Sequence, residues 1–134
     1  MTYSYQQVII MKYDIEILLD LDGIIIEQAG GHWTRFQVRE VEQSEEIPHG
    51  IRYSLTLHDR NGNRIMGFDN AHAVKSMGKY RDRKTFDHRH RNAEDKGVFY
   101  QFVDAHQLLT DFWVEVDKVL NYLGLEQEVN YENN

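Results

Sequence analysis

The sequence contains no cysteine, only one proline and no long hydrophobic run. The absence of cysteine excludes disulfide scaffolds, zinc sites built from thiolates and thiol nucleophiles. Its apolar runs, such as residues 8–11 and 24–26, are strand-sized, whereas a membrane-spanning helix needs about 20 apolar residues. The first ten residues carry no lysine or arginine, which differs from a secretory signal. We therefore expect a cytoplasmic protein that has no membrane partner.

What the chain does contain is enough for one folded domain. It has 134 residues, of which 41% are hydrophobic and 28% charged. This length is typical of one domain, and the composition excludes collagen-like and wholly disordered proteins. We expect a single domain over residues 1–124, in which residues 1–10 are an N-terminal arm or belong to an alternative start. Residues 125–134 form a polar tail that we expect to fray.

The charge is unevenly distributed along the chain. The formal net charge of −7 argues against a general nucleic-acid binder. Residues 72–96, however, hold eight basic residues against four acidic ones, with three histidines besides. A basic segment on an acidic body is typical of a contact with a polyanion or with an acidic partner protein. A solvated loop has the same composition.

Alternating polar and apolar residues predict strands in the first half of the chain. Residues 13–21 and 24–27 flank an Asp-Gly pair and are interpreted as a first hairpin. Residues 33–41 predict a third strand, followed by a loop that contains the proline. Residues 51–58 alternate strictly between apolar and polar side chains, so they predict a strand with one buried face.

The Asn61-Gly62 pair that follows is a strong hairpin signal. A two-residue loop at this pair aligns Leu57 with Met66, Leu55 with Phe68, Asp59 with Arg64 and Ser54 with Asp69. Two apolar pairs and one pair of opposite charges support this register. It places Asp69 on the polar side of the sheet.

The second half of the chain predicts a long loop and a C-terminal helix. Residues 71–97 are interpreted as a loop that holds one short helix or strand, and residues 98–102 predict a further strand. Asp104 is a predicted N-cap, because an apolar stripe at helical spacing follows it: Leu108, Leu109, Phe112, Trp113, Val116, Leu120 and Leu123. The expected fold is α+β, a single domain with a twisted antiparallel sheet and this amphipathic helix packed on one face.

The densest group of chemically active side chains lies in residues 86–91. In an extended segment His88 and His90 project to one side, and Asp87, Arg89 and Arg91 project to the other. Two histidines on one side are suited to act as a general base and a general acid, because imidazole titrates near neutral pH. Arginine matches the oxygens of a phosphate. These groups would suffice to cleave RNA without a metal ion.

The same histidines permit other interpretations. His88 and His90, with a carboxylate from Asp69 or Asp87 and with His72, could hold a zinc or manganese ion. The segment could also be a charged loop that performs no chemistry, since a His-x-His pair alone is a weak signal. The sequence contains no phosphate-binding glycine loop, nucleophile elbow, HExxH helix or zinc-finger spacing.

Asp69 and Asn70 form a second candidate group at the end of the predicted hairpin. The register places Asp69 near Ser54 and Arg52, although an Asp-Asn pair at a strand end also serves to turn the chain. The other histidines have no such neighbours in the sequence and are interpreted as structural or surface residues: His32, His49, His58 and His106.

Five motifs in a fixed order carry a resemblance to a known family. They are His49-Gly50-Ile51-Arg52-Tyr53, Gly67-Phe68-Asp69-Asn70-Ala71-His72, Asp87-His88-Arg89-His90, Tyr100-Gln101-Phe102 and Gln107-Leu108-Leu109-Thr110-Asp111-Phe112-Trp113. Over residues 11–123 the chain resembles the TumE family, toxins of bacterial and archaeal toxin–antitoxin pairs. It departs from the usual pattern in two places: Phe68 replaces a tyrosine, and about sixteen residues separate the DN and DHRH motifs.

The resemblance implies a growth-inhibiting toxin encoded beside a helix-turn-helix antitoxin. From the residues we further expect an RNA endonuclease of a type II pair that needs no cofactor. His88 and His90 are its predicted acid–base pair, Arg89 and Arg91 hold the phosphate, and Asp69 orients a histidine or the attacking hydroxyl. Further residues expected to bind the RNA are Arg52, Asn70, Lys79, Arg81, Arg83 and Lys84.

Two alternatives to this nuclease stay open. One of them is not an enzyme, so the sequence does not decide whether the chain is a catalyst. The chain could be a non-catalytic module whose basic loop, residues 72–96, docks on RNA, the ribosome or an acidic protein. It could also be a metal-dependent nuclease that binds a divalent metal at His88 and His90. The sequence also leaves open whether the chain forms a homodimer.

Overall fold

The computed structural model describes residues 4–70, 87–90 and 97–125. Within those residues six strands form one antiparallel sheet, in which the strands are ordered as they are in the sequence. The elements are α1 (Tyr5–Leu19), β1 (Ile25–Glu27), a 3₁₀ turn (Ala29–Gly31), β2 (Trp33–Glu40), β3 (Ile51–His58), β4 (Arg64–Asp69), β5 (His88–His90), β6 (Val98–Phe99) and α2 (Ala105–Tyr122). The predicted α+β class, with a C-terminal helix on an antiparallel sheet in a single domain, is confirmed.

The register of the β3–β4 hairpin is the predicted one over most of its length. The aligned pairs are Leu55 with Phe68, Leu57 with Met66 and Ser54 with Asp69. Since successive side chains in a strand point to opposite faces, Asp69 lies on the face opposite Phe68. The position of this carboxylate therefore follows from the hairpin.

The turn of this hairpin differs from the prediction. Asp59 does not face Arg64, because the register shifts after Leu57 and Arg64 pairs with His58. The Asp59 carboxylate instead accepts hydrogen bonds from the backbone N–H groups of Asn61 and Asn63, at 2.9 and 3.0 Å. The side chain thus closes a turn longer than two residues.

The first predicted hairpin is wrong over residues 13–21, which form the end of α1 and the turn after it. Residues 5–10, expected to be an arm, belong to the same helix. It starts with a capping box, in which the Ser4 hydroxyl accepts from the Gln7 N–H at 3.1 Å and the Gln7 side chain accepts from the Ser4 N–H at 2.8 Å. Residues 24–27 do contribute a strand, β1, but its partner is β2. The strand expected over residues 98–102 is shorter, Val98–Phe99.

The core lies between one face of the sheet and the two helices. As predicted, α2 is capped by Asp104, whose carboxylate accepts from the Gln107 N–H at 2.7 Å. The Phe112 ring lies 5.6 Å from that of Phe36 and 6.1 Å from that of Phe68. The fully buried side chains of α2 are Ala105, Leu108, Phe112, Val116 and Leu120.

Helix α1 joins the same layer as α2. Its Leu18 is buried in the core cluster. Asp14 accepts hydrogen bonds from the Ala105 and His106 N–H groups, at 2.7 and 3.1 Å, so it fixes α1 to the first turn of α2. Both helices therefore pack on the sheet face that carries Phe36 and Phe68. In the part of the chain covered by the structure, neither helix is long and apolar enough to cross a membrane.

Candidate functional site

The sheet face opposite the helices, here called the polar face, carries arginines, polar side chains and a histidine–carboxylate pair. Its described residues include Arg35, Gln37 and Arg39 of β2, Arg52 and Ser54 of β3, Asp69 of β4 and His90 of β5. Successive side chains of a strand point to opposite faces, and the neighbours of these residues along each strand point toward the core and the helices. The residues themselves therefore share the opposite face.

A close contact on the polar face joins Asp69 and His90. The His90 Nε2 lies 3.0 Å from the Asp69 Oδ2, and the two side chains are 11% and 14% exposed. The strand register creates this contact, because β5 is aligned so that His90 lies opposite Gly67, two residues before Asp69. A carboxylate at this distance orients the imidazole and selects the tautomer protonated on Nε2.

Asn70 fixes the end of β4 next to this pair. Its side chain is 1% exposed, accepts a hydrogen bond from the Tyr53 N–H at 2.9 Å and donates one to the Ile51 carbonyl at 2.8 Å. The amide thereby continues the β3–β4 ladder beyond the last residue pair. These contacts give Asn70 a positioning role, and they direct its amide to the backbone of β3 instead of the polar face.

Arg89 lies on the other side of β5. Its backbone is aligned with Phe68, and its Nη1 lies 3.4 Å from the Glu115 Oε2 of α2. The alternation expected for the DHRH motif therefore separates Arg89 from His90 across the thickness of the sheet. The structure does not bring Arg89 to the Asp69–His90 pair.

Phe68, which stands where the TumE pattern has tyrosine, also points toward the helices. It is 1% exposed, and its ring meets that of Tyr100 edge-on at a centroid distance of 4.9 Å. A hydroxyl at this position would face the core. The departure from the pattern therefore leaves the polar face unchanged.

A second polar cluster lies on the helix side of the sheet. The Tyr53 hydroxyl donates to the Asp87 Oδ2 at 2.7 Å, and the His49 Nε2 lies 3.4 Å from the same oxygen. Burial raises the pKa of Tyr53 far above its usual value, and the negative charge of Asp87 adds to this effect. The His49 ring packs on that of Phe102 at a centroid distance of 4.2 Å, beside a cavity of about 710 Å³.

This second cluster was not predicted from the sequence. His49 is interpreted there as a structural or surface histidine, because Asp87 lies 38 residues away along the chain. Only the folded chain brings the loop before β3 next to the residue before β5. His49 and Asp87 do belong to two of the motifs on which the TumE resemblance rests. That membership was the only indication in the sequence that the two residues belong to one site.

Several predicted site residues lie outside the described part of the chain: His72, Lys79, Arg81, Arg83, Lys84 and Arg91. The backbone of His88 is paired with Asp69, but its side chain is not described. Among the residues that are described, no three His, Cys, Asp or Glu side chains gather so that they could hold a metal ion.

Comparison with known families finds one described as toxin TumE, whose model matches residues 31–120. The match starts at Gly31, just before β2, and ends at Leu120 in the last turns of α2. It includes the whole of the polar face, whereas α1 and β1 precede it. No curated protein and no solved structure matches the chain.

Proposed function

The chain belongs to the TumE family of toxins, and from this premise we propose that it is the cytoplasmic toxin of a type II toxin–antitoxin pair and cleaves RNA without a metal ion. A toxin of such a family implies an antitoxin partner, for which we propose a helix-turn-helix protein. The observation that carries the proposed chemistry is the Asp69–His90 pair, which lies on a face that also carries three arginines.

In this proposal His90 is the general base. With Nε2 donating to Asp69, the ring keeps its lone pair on Nδ1, which takes the proton of a ribose 2′-hydroxyl. The 2′-oxygen then attacks the adjacent phosphorus, and the bond from phosphorus to the 5′-oxygen of the next nucleotide breaks. The products are a 2′,3′-cyclic phosphate and a 5′-hydroxyl end.

The leaving 5′-oxygen needs a proton, and we assign this step to His88. This assignment rests on the sequence, in which His88 precedes His90 by two residues. The arginines of the polar face, Arg52 among them, hold the negatively charged RNA backbone against this pair of histidines. Arg89 contacts Glu115 on the opposite face, so we assign phosphate binding to the arginines of the polar face instead.

The test is induced expression in a host that lacks the antitoxin, followed by sequencing of RNA 5′ ends. We expect wild type to arrest growth and to create new 5′-hydroxyl ends. His90→Ala and His88→Ala should each reduce cleavage by about 10²- to 10⁴-fold, the range typical of a general acid or base. His106→Ala removes an exposed histidine of α2 and is the matched control, which should behave like wild type at equal soluble protein.

Other results would support other functions. Cleavage by the purified protein that stops in EDTA and returns with manganese or zinc would replace the metal-free mechanism with a metal-dependent one. Growth arrest by His90→Ala without new RNA ends would contradict the nuclease. It would favour a non-catalytic module, the second candidate, which the arginines of the polar face also support. In that case charge reversal at Arg81, Arg83 and Lys84 should reduce toxicity more than any histidine change.

A further inference from the structure

Two arginines face each other on the polar face, close to the Asp69–His90 pair. Arg39 of β2 is aligned with Arg52 of β3, and their neighbours Gln37 and Ser54 are aligned in the same way. Like charges directly opposite each other destabilise a sheet. We propose that Arg39 and Arg52 together bind one RNA phosphate, the neighbour of the phosphate that is cleaved. This inference rests on the proposed function and adds a substrate-binding site to it.

The arginines lack the partners that would otherwise explain their position. Neither has an ion-pair partner among the residues that the structure describes. The Arg52 Nε is buried and has no hydrogen-bond acceptor within the same residues. A buried donor without an acceptor is unfavourable, and rotation of the Arg52 guanidinium toward a bound phosphate would supply both the acceptor and the negative charge.

The surroundings of the pair suit a phosphate diester. Arg39 and Arg52 line a shallow cavity of about 300 Å³ together with Gln37 and Ser54. Both of these side chains can donate to a phosphate or ribose oxygen. One carboxylate, Asp22, lines the cavity as well, and its Oδ1 accepts from the Val38 N–H at 2.8 Å. Two positive charges against one negative charge leave the cavity positive.

The strand register places the arginine pair beside the Asp69–His90 pair. Asp69 of β4 is aligned with Ser54, and Arg52 lies two residues before Ser54 on β3. The backbones of Arg52 and Asp69 are therefore offset by about 7 Å along the strands and by one strand spacing, about 5 Å, across them. A long arginine side chain can cover this offset, so successive phosphates of one RNA strand can lie at the two groups. The RNA would therefore cross the strands, from the arginine pair on β2 and β3 to the Asp69–His90 pair on β4 and β5.

The inference is tested by binding of a short 2′-O-methyl RNA oligonucleotide, which lacks the attacking hydroxyl and is not cleaved. Fluorescence anisotropy gives its affinity over a range of salt concentrations. Arg39→Ala and Arg52→Ala should each weaken binding by about tenfold at low salt. In the double variant the slope of log K against log salt should become less steep by about 0.7, the value for one single-strand phosphate. Arg60→Ala removes an exposed arginine from the β3–β4 turn and is the matched control.

Three outcomes would overturn this inference. They are absence of oligonucleotide binding by wild type, an equal effect of Arg60→Ala, and a slope change in the double variant that corresponds to two phosphates. Arg39 is exposed, so we expect Arg39→Ala to fold, which far-UV circular dichroism verifies. If Arg52→Ala does not fold, Arg39→Ala alone tests the inference. If the arginine variants lose binding while wild type cleaves no RNA, the phosphate site stands and the nuclease fails.

A second measurement uses cleavage. A dinucleotide contains only the phosphate that is cleaved, whereas a trinucleotide can fill both groups. Arg39→Ala should raise the KM for a suitably placed trinucleotide and leave that for the dinucleotide unchanged. An equal change for both substrates would contradict a separate site for the second phosphate.

Discussion

At the scale of single residues, the buried amide of Asn70 is expected to stabilise the junction of β3 and β4. Asn70→Ala leaves the Tyr53 N–H and the Ile51 carbonyl without their side-chain partners. Each unsatisfied buried group costs about 1–3 kcal/mol, so we expect the free energy of unfolding to fall by about 3 kcal/mol. Urea denaturation measures it, with the exposed Asn121→Ala as control. Equal midpoints for both variants would contradict the assigned role.

A second prediction at this scale concerns His58, which stacks on Trp33 at a centroid distance of 4.1 Å. Burial lowers the pKa of His58 below its usual value of 6.5, and the nearby charges of Arg35 and Arg64 act in the same direction. Unfolding therefore takes up a proton at this residue, so its contribution to stability is present above about pH 6.5 and lost as the pH falls below it.

The measurement compares wild type with His58→Phe, which keeps a flat ring beside Trp33 and does not titrate. As the pH falls from about 7.5 to about 5.5, the unfolding free energy of wild type should decrease relative to that of His58→Phe. A difference that does not change with pH would show that His58 titrates alike in the folded and unfolded chain.

The residues of the candidate site were predictable only where local rules determine their position. Asp69 was assigned to the polar face because the Asn61-Gly62 turn sets the alignment of two alternating strands. His90 followed from alternation within its own motif. The contact of His49 with Asp87 was not predictable, because it depends on how a loop and a strand from distant parts of the chain pack together.

At the scale of elements, α1 shows why a pattern of apolar residues can mislead. Tyr13, Ile15 and Ile17 alternate as in a strand, and in the helix Tyr13 and Ile17 remain exposed. A surface helix with apolar residues on several sides has no clear helical period. The deciding local signal was the Ser-x-x-Gln capping box. The hairpin and α2 were predictable because burial of a single face imposes a clear period.

The attachment of α1 to α2 gives a prediction for this scale. Asp14→Ala removes the acceptor for two N–H groups in the first turn of α2. We expect it to lower the free energy of unfolding by about 1–2 kcal/mol, as loss of a helix cap does. Amide hydrogen exchange should become faster in α1 in particular. Asp117→Ala, an exposed carboxylate of α2, is the control, and the same exchange in both variants would contradict the attachment.

At the scale of the whole molecule, the two sides of the sheet differ in charge. The polar face carries arginines, whereas the cavity beside His49 is lined by four acidic residues: Asp14, Glu16, Glu40 and Asp104. An RNA strand is attracted to the first side and repelled from the second. This distribution explains how a chain with a net charge of −7 can serve as the proposed nuclease. The total charge alone, which argued against nucleic-acid binding, could not predict it.

The edge of the sheet gives the last prediction. Strand β1 lies at the end of the strand order, and its Ile25 side chain is 58% exposed. Apolar edge strands offer backbone groups for pairing with a further strand. We predict that two copies of the chain associate through β1, because antiparallel pairing about a twofold axis buries the same isoleucines on both copies. Sedimentation velocity should show a dimer for wild type and a monomer for Ile25→Lys. Val114→Lys, the same change at an exposed position of α2, should remain dimeric. A monomeric wild type, or equal dissociation of both variants, would contradict pairing through β1.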